Sequence, residues 1–209
     1  MSTLVLFTFA YLIVTIGIGL YAARFVNNSK DYLVAGRGLP LYMSVATVFA
    51  TWFGAETVLS VSATFVKDGL GGIPADPFGA TFCLIFVAVF FARAFYRMDL
   101  LTIGDFYKKR YGKGVEVLTS LAVTLSYLGW TSAQLTALGI VFNSLSGGAI
   151  SLNTGILVGA VIVLIYTTYG GMWSVALTDL FQSVVIVVGL IYVSFLAADM
   201  AGGVGNVIS

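Results

Sequence analysis

The sequence predicts an all-α integral membrane protein. Of its 209 residues, 59% are hydrophobic and 9% charged, and the mean hydropathy is +1.02. A soluble globular domain carries far more charge than that. Apolar runs long enough to span recur along the whole chain, and about 20 such residues cross a bilayer as a helix. Backbone groups in hydrocarbon must be satisfied within their own segment, which favours helices. Composition also excludes several functions. A net charge of +1 offers nucleic acid no basic surface, and the single cysteine, Cys83, excludes a disulfide framework within the chain. There is no histidine, which removes Ser-His-Asp and Cys-His catalysis and most zinc sites. Neither an enzyme nor an organic cofactor is expected. No Lys or Arg precedes the first apolar run, so a cleavable signal is not expected either.

Six apolar segments follow one another. Residues 4–23 are uncharged, with Thr8, Thr15, Gly17 and Gly19 available for close helix packing. A polar connector carries Arg24, Asn27, Asn28, Lys30, Asp31 and Arg37 and closes at Pro40, which suits the start of a helix. The second segment covers residues 39–66, and a glycine- and proline-rich turn region occupies 67–77. The third covers 78–95. Residues 102–113 form a short basic amphipathic helix at the interface, where Lys108, Lys109, Arg110 and Lys113 meet water or lipid headgroups. The fourth segment, 115–145, is too long to stand upright and is expected to tilt or protrude. Residues 152–169 and 175–198 make the fifth and sixth, separated by a short turn at Gly170-Gly171-Met172-Trp173, and a glycine-rich polar tail ends the chain.

Nine of the ten cationic residues lie in the first and third connections, against Lys67 alone in the second. That bias places the odd connections in the cytoplasm and the N-terminus outside. The expected location is the plasma or inner membrane, crossed several times.

The second segment holds the stretch of greatest chemical interest, Phe49-Ala50-Thr51-Trp52-Phe53-Gly54-Ala55-Glu56-Thr57. Glu56 sits mid-segment, and an ionisable residue at membrane depth marks a functional site by default. Gly54, with Thr51, Thr57, Ser60 and Ser62, permits a break in the helix. Broken transmembrane helices expose carbonyls at the midplane, where transporters bind ions and solutes. A continuous helix, with Glu56 hydrogen-bonded to a neighbour and Gly54 allowing close packing, is the alternative.

Residues 169–182, Tyr169-Gly170-Gly171-Met172-Trp173-Ser174-Val175-Ala176-Leu177-Thr178-Asp179-Leu180-Phe181-Gln182, resemble the signature of the sodium/solute symporter family. Residues 32–37, 50–57 and 101–112 agree with it in the right order. The resemblance implies a LeuT-type architecture of two inverted five-helix repeats with one extra helix before the first. Residues 1–30 would be that extra helix and its connector, and 31–209 the first repeat, the second repeat being absent. A complete member is expected to be about twice this length, with the missing repeat, or its equivalent, as partner. No internal repeat is visible within the chain.

The resemblance also supplies roles. Ala50 and Phe53 match positions whose backbone carbonyls hold sodium, the coupling ion, so this chain would carry half a sodium site. Thr178 and Asp179 match positions along the ion exit route. On residue chemistry alone, Asp179 reads as a cap at the start of the sixth helix. Trp52, Trp130 in the fourth segment and Asp76-Pro77-Phe78-Gly79-Ala80 look most like the choline-transporting branch. Aromatic faces attract quaternary ammonium groups by about 2 kcal/mol or more when desolvated. Glu56 or Asp76 would add long-range attraction. Glu56 stands where that branch carries glycine, and an amino acid or other zwitterion fits nearly as well. Thr57 belongs to the same candidate solute pocket. Trp130 otherwise packs against lipid or a helix. Gln134 is open between a helix–helix hydrogen bond and solute contact, and Ser126 and Ser132 read as helix–helix bonds.

The expected function is sodium-coupled symport of a small polar solute. A symporter-like sensor module and a non-transporting fragment are the alternatives.

Overall fold

A computed structural model describes residues 3–200 and 202–203. Most of the expected glycine-rich tail therefore lies outside the described residues. Among those described, the chain is 88% helix and has no strand. It divides into two compact units. One comprises Phe53–Leu164 with the start of the first helix, and the other Tyr11–Trp52 with the chain from Ile165 onward.

In the second unit, α1 (Thr3–Ala22) contributes its later turns. Thr15 is buried there, and a Cβ on Gly19 would lie 2.6 Å from the Tyr166 Cβ, so glycine sets that helix contact. Gly17 faces open space instead. The connector folds as α2 (Ser29–Val34), capped by Asn28, whose side chain accepts from the Asp31 N–H at 2.9 Å. It stops at Ala35 in the left-handed region, φ 48. Pro40 then precedes α3 (Leu41–Trp52). Ser29–Arg37 and Leu41–Trp52 meet at 106°.

The first unit begins where α3 ends. Phe53 and Gly54 are non-helical, and helix resumes from Ala55 through a wide turn at Glu56–Val61 into α4 (Ser62–Asp68). The Gly/Pro turn region follows, with Asp76 extended at φ −123, ψ 127. Next come α5 (Ala80–Phe86), a second wide turn at Val87–Ala92 and α6 (Arg93–Arg97). The amphipathic stretch forms α7 (Ile103–Tyr111), where Thr102 and Asp105 make a capping box. Phe95 packs edge-on against Phe106 at 5.4 Å, and the Lys109 ammonium donates to the Met98 carbonyl at 3.0 Å, tying α7 to the end of α6.

The fourth segment is α8 (Lys113–Leu145), 33 residues without a break. Small residues let it approach α9 (Leu152–Met200). A Cβ on Gly139 would stand 2.6 Å from Ile156 Cγ1, and one on Gly155 would stand 3.0 Å from the Gly139 Cα.

The fifth and sixth segments are one helical run, α9, 49 residues long. Its only departure is Gly171, at φ 49, ψ −139, a conformation glycine tolerates and other residues do not. The expected turn of four residues is thus a single bent glycine. Three described stretches are long and apolar enough to cross a membrane: Thr3–Phe25, Pro74–Arg97 and Leu152–Met200. The bent pair in the second unit makes a fourth if counted as one span. The Ser, Thr and Gln content of α8 keeps it out of that group despite its length.

Candidate ion and solute site

The break at Phe53–Gly54 is the central feature of the first unit. The Ala55 N–H, which an unbroken helix would turn back to the carbonyl four residues earlier, instead donates to Gln134 Oε1 at 3.4 Å. The Val58 N–H donates to the Gly54 carbonyl at 3.2 Å, at the head of the wide turn. A Cβ on Gly54 would lie 3.3 Å from the same Gln134 oxygen. Gln134, half-buried on α8, is therefore brought to the break. Thr57 is half-buried beside it in sequence, and Glu56 is exposed.

Trp130 lies on α8 with 43% of its surface exposed, edge-on to Tyr127 at 6.0 Å. Ser132 bonds its own helix, donating to the Leu128 carbonyl at 2.7 Å, rather than reaching another one. Asp76 is half-buried in its turn.

In the second unit, α3 ends at Trp52, 43% exposed, with Ala50 half-buried one turn before the break. The dipole at the end of a helix presents partial negative charge, which suits a small cation.

The same unit holds a polar cluster that residue-by-residue reading of the sequence did not find. Ser183 donates to the Ala46 carbonyl at 3.2 Å across 137 residues, pinning α3 to α9. The Asp179 carboxylate faces the hydroxyl of Thr47, whose Oγ1 is buried and makes no conventional hydrogen bond. Thr178, 2% exposed, spends its hydroxyl on the Ser174 and Val175 carbonyls at 2.9 and 3.0 Å. Ser174 in turn donates to the Gly19 carbonyl. Neither Thr47 nor Ser183 carried a signal in the sequence, since each is one hydroxyl in an apolar run. Asp179 is not a helix cap. The helix it belongs to restarts after Gly171, leaving Asp179 well inside it and beyond the first turn, where a cap acts.

The tip of the connector closes on the bend of α9. Tyr32 donates its hydroxyl to the Thr167 carbonyl at 3.3 Å, and a Cβ on Gly171 would stand 2.5 Å from the Tyr32 carbonyl. Trp173 packs on Phe25, the ring centroids 5.3 Å apart.

A profile of the sodium:solute symporter family matches residues 32–209. The chain belongs to that family. Among curated members, the high-affinity choline transporter 1 of Caenorhabditis elegans is 28% identical over 198 residues, covering 90% of this chain and 34% of its own length. The sodium-coupled monocarboxylate transporter 2 of Danio rerio is 30% identical over 200 residues, covering 93% and 31%. The sodium/glucose cotransporter of Vibrio parahaemolyticus is 27% identical over 198 residues, covering 92% and 36%. The chain thus spans about a third of the length of these symporters, where about half was expected. No solved structure matches it.

Proposed function

We propose that this chain is part of a sodium-coupled carrier of a small polar solute, and that sodium binds at the break in the second apolar segment. Membership of the symporter family supports the class of activity. The single observation that carries the ion site is the interruption at Phe53–Gly54, with an Ala55 amide that does not return to its own helix. Sodium is a hard cation that prefers oxygen, and the carbonyls of Ala50 and Phe53 would supply half its ligands. The rest would come from a second five-helix repeat. Asp179, with Thr178 behind it, would line the route by which sodium leaves.

The proposed architecture is the extra helix over residues 1–30 and a LeuT-type first repeat over 31–209. On that reading, α9 divided at Gly171 would make the fifth and sixth crossings, and residues 39–66 the second. The protein would sit in the plasma or inner membrane with its N-terminus outside.

For the solute, the aromatic faces of Trp52 and Trp130 favour a quaternary ammonium compound through cation–π attraction, and Thr57, Gln134, Glu56 and Asp76 are the polar candidates. The choline transporters among the relatives agree with that choice. The monocarboxylate and glucose transporters show that family membership alone does not fix it. The test is sodium-dependent uptake of radiolabelled choline by the full-length protein in proteoliposomes. Uptake is expected to require a sodium gradient and to fall at least tenfold in Trp52→Ala. Uptake indifferent to Trp52→Ala removes the ammonium reading, and uptake indifferent to sodium removes the ion site.

A further inference from the structure

Every backbone amide freed at membrane depth needs a partner, because hydrocarbon supplies none. At the break that partner comes from another helix. Gln134 Oε1 takes the Ala55 N–H at 3.4 Å, and the same oxygen is the nearest atom to where a Gly54 Cβ would stand, at 3.3 Å. Two independent features thus converge on one side chain. The amide has lost its helical acceptor, and the residue before it lacks the side chain that would crowd the replacement.

We propose that Gln134 anchors the interrupted helix: its amide oxygen fixes the start of the second half-helix to α8, and so positions the break for sodium. Gln134 is on this view a positioning residue rather than an ion ligand. The inference rests on the reading of the break as a sodium site.

The position of Gln134 on α8 adds a consequence. Trp130 precedes it by one helical turn, and residues four apart share a helix face. The helix face that carries the proposed aromatic contact to the solute therefore also carries the anchor. A shift of that face on solute binding reaches the ion's helix through one hydrogen bond. Replacing the anchor's carbonyl by an apolar group leaves an amide unpaired at membrane depth. Replacing it by a carboxyl of the same length keeps an acceptor in place.

The test uses the purified full-length protein, unsubstituted and as Gln134→Leu, Gln134→Glu and Gly54→Ala. Hydrogen exchange is read on the peptide covering residues 53–60, and sodium affinity by binding of radioactive sodium alone. Gln134→Leu is expected to speed exchange and weaken sodium binding, each roughly tenfold, the factor for about 1.4 kcal/mol. Gln134→Glu is expected to stay near the unsubstituted protein. Gly54→Ala displaces the oxygen by a few tenths of an ångström, so its effect should run in the same direction and be smaller. It also keeps the test open if Gln134→Leu does not fold.

Exchange that is unchanged or slower in Gln134→Leu overturns the anchor. Faster exchange with unaltered sodium affinity overturns the positioning role. Absence of sodium binding in the unsubstituted protein refutes the sodium reading itself, and the exchange comparison then decides the anchor alone.

Discussion

Glycine does different work at each of three positions. At Gly19 it makes room for Tyr166, at Gly54 for the Gln134 amide, and at Gly171 it supplies both room and a positive φ. The last is the most demanding. Gly171→Ala must hold φ 49 and also find space against the Tyr32 backbone and ring. The strain alone costs about 1–3 kcal/mol, so the substitution is expected to lower thermal stability in detergent more than Gly17→Ala, whose site is open. Equal melting temperatures for the two would show that the bend is not fixed by this residue. Ser183→Ala removes the bond to Ala46 and is expected to cost about 0.6 kcal/mol, the average for a hydrogen bond between membrane helices, read in the same unfolding assay.

Among the elements, α7 was the most legible. Thr102 followed three residues later by Asp105 is a capping pattern ahead of a basic run, and the helix forms with that box in place. Asp105 is held below the ordinary carboxylate value of 3.8, chiefly because its carboxylate accepts the Thr102 N–H. Burial opposes the shift, and the Leu101 N–H, Thr102 hydroxyl and Lys108 charge assist it. With the folded value lower than the unfolded one, the ionised cap contributes its full stability above pH 3.8 and loses it as pH falls through the depressed folded value. Exchange in residues 103–111 should therefore rise only at strongly acid pH, and Asp105→Asn should abolish that dependence. Thr102→Ala should destabilise α7 by about 1 kcal/mol at neutral pH.

The fifth and sixth segments show the limit of reading elements from pattern. Gly170-Gly171 marks an interruption, but nothing local distinguishes a four-residue turn from one bent residue. With the helix restarting after Gly171 rather than at residue 175, Asp179 falls inside it instead of at its cap. The position of Gln134 illustrates a second limit. Its choice of the Ala55 amide depends on α8 lying against the break, which is tertiary information. Thr47 and Ser183 escaped notice for the same reason, while Gly54 among small and β-branched residues announced the break locally.

For the whole molecule, composition was enough to predict a helical chain with apolar helices of membrane-crossing length, and the motif at residues 169–182 was enough to suggest the family. Charge distribution predicts an orientation that labelling can test. With nine of ten cationic residues in the first and third connections, a membrane-impermeant maleimide applied from outside should label Asp68→Cys and spare Lys113→Cys in a Cys83→Ala background. The reverse pattern would invert the topology.

The contact between Tyr32 and Gly171 makes a mechanical joint out of two segments distant in sequence. Because Tyr32 closes on both sides of the bend, at the Thr167 carbonyl and at Gly171, a change of angle at the bent glycine is expected to shift the connector with it. A spin label on the exposed Lys30, two residues before Tyr32, is expected to report that change of angle.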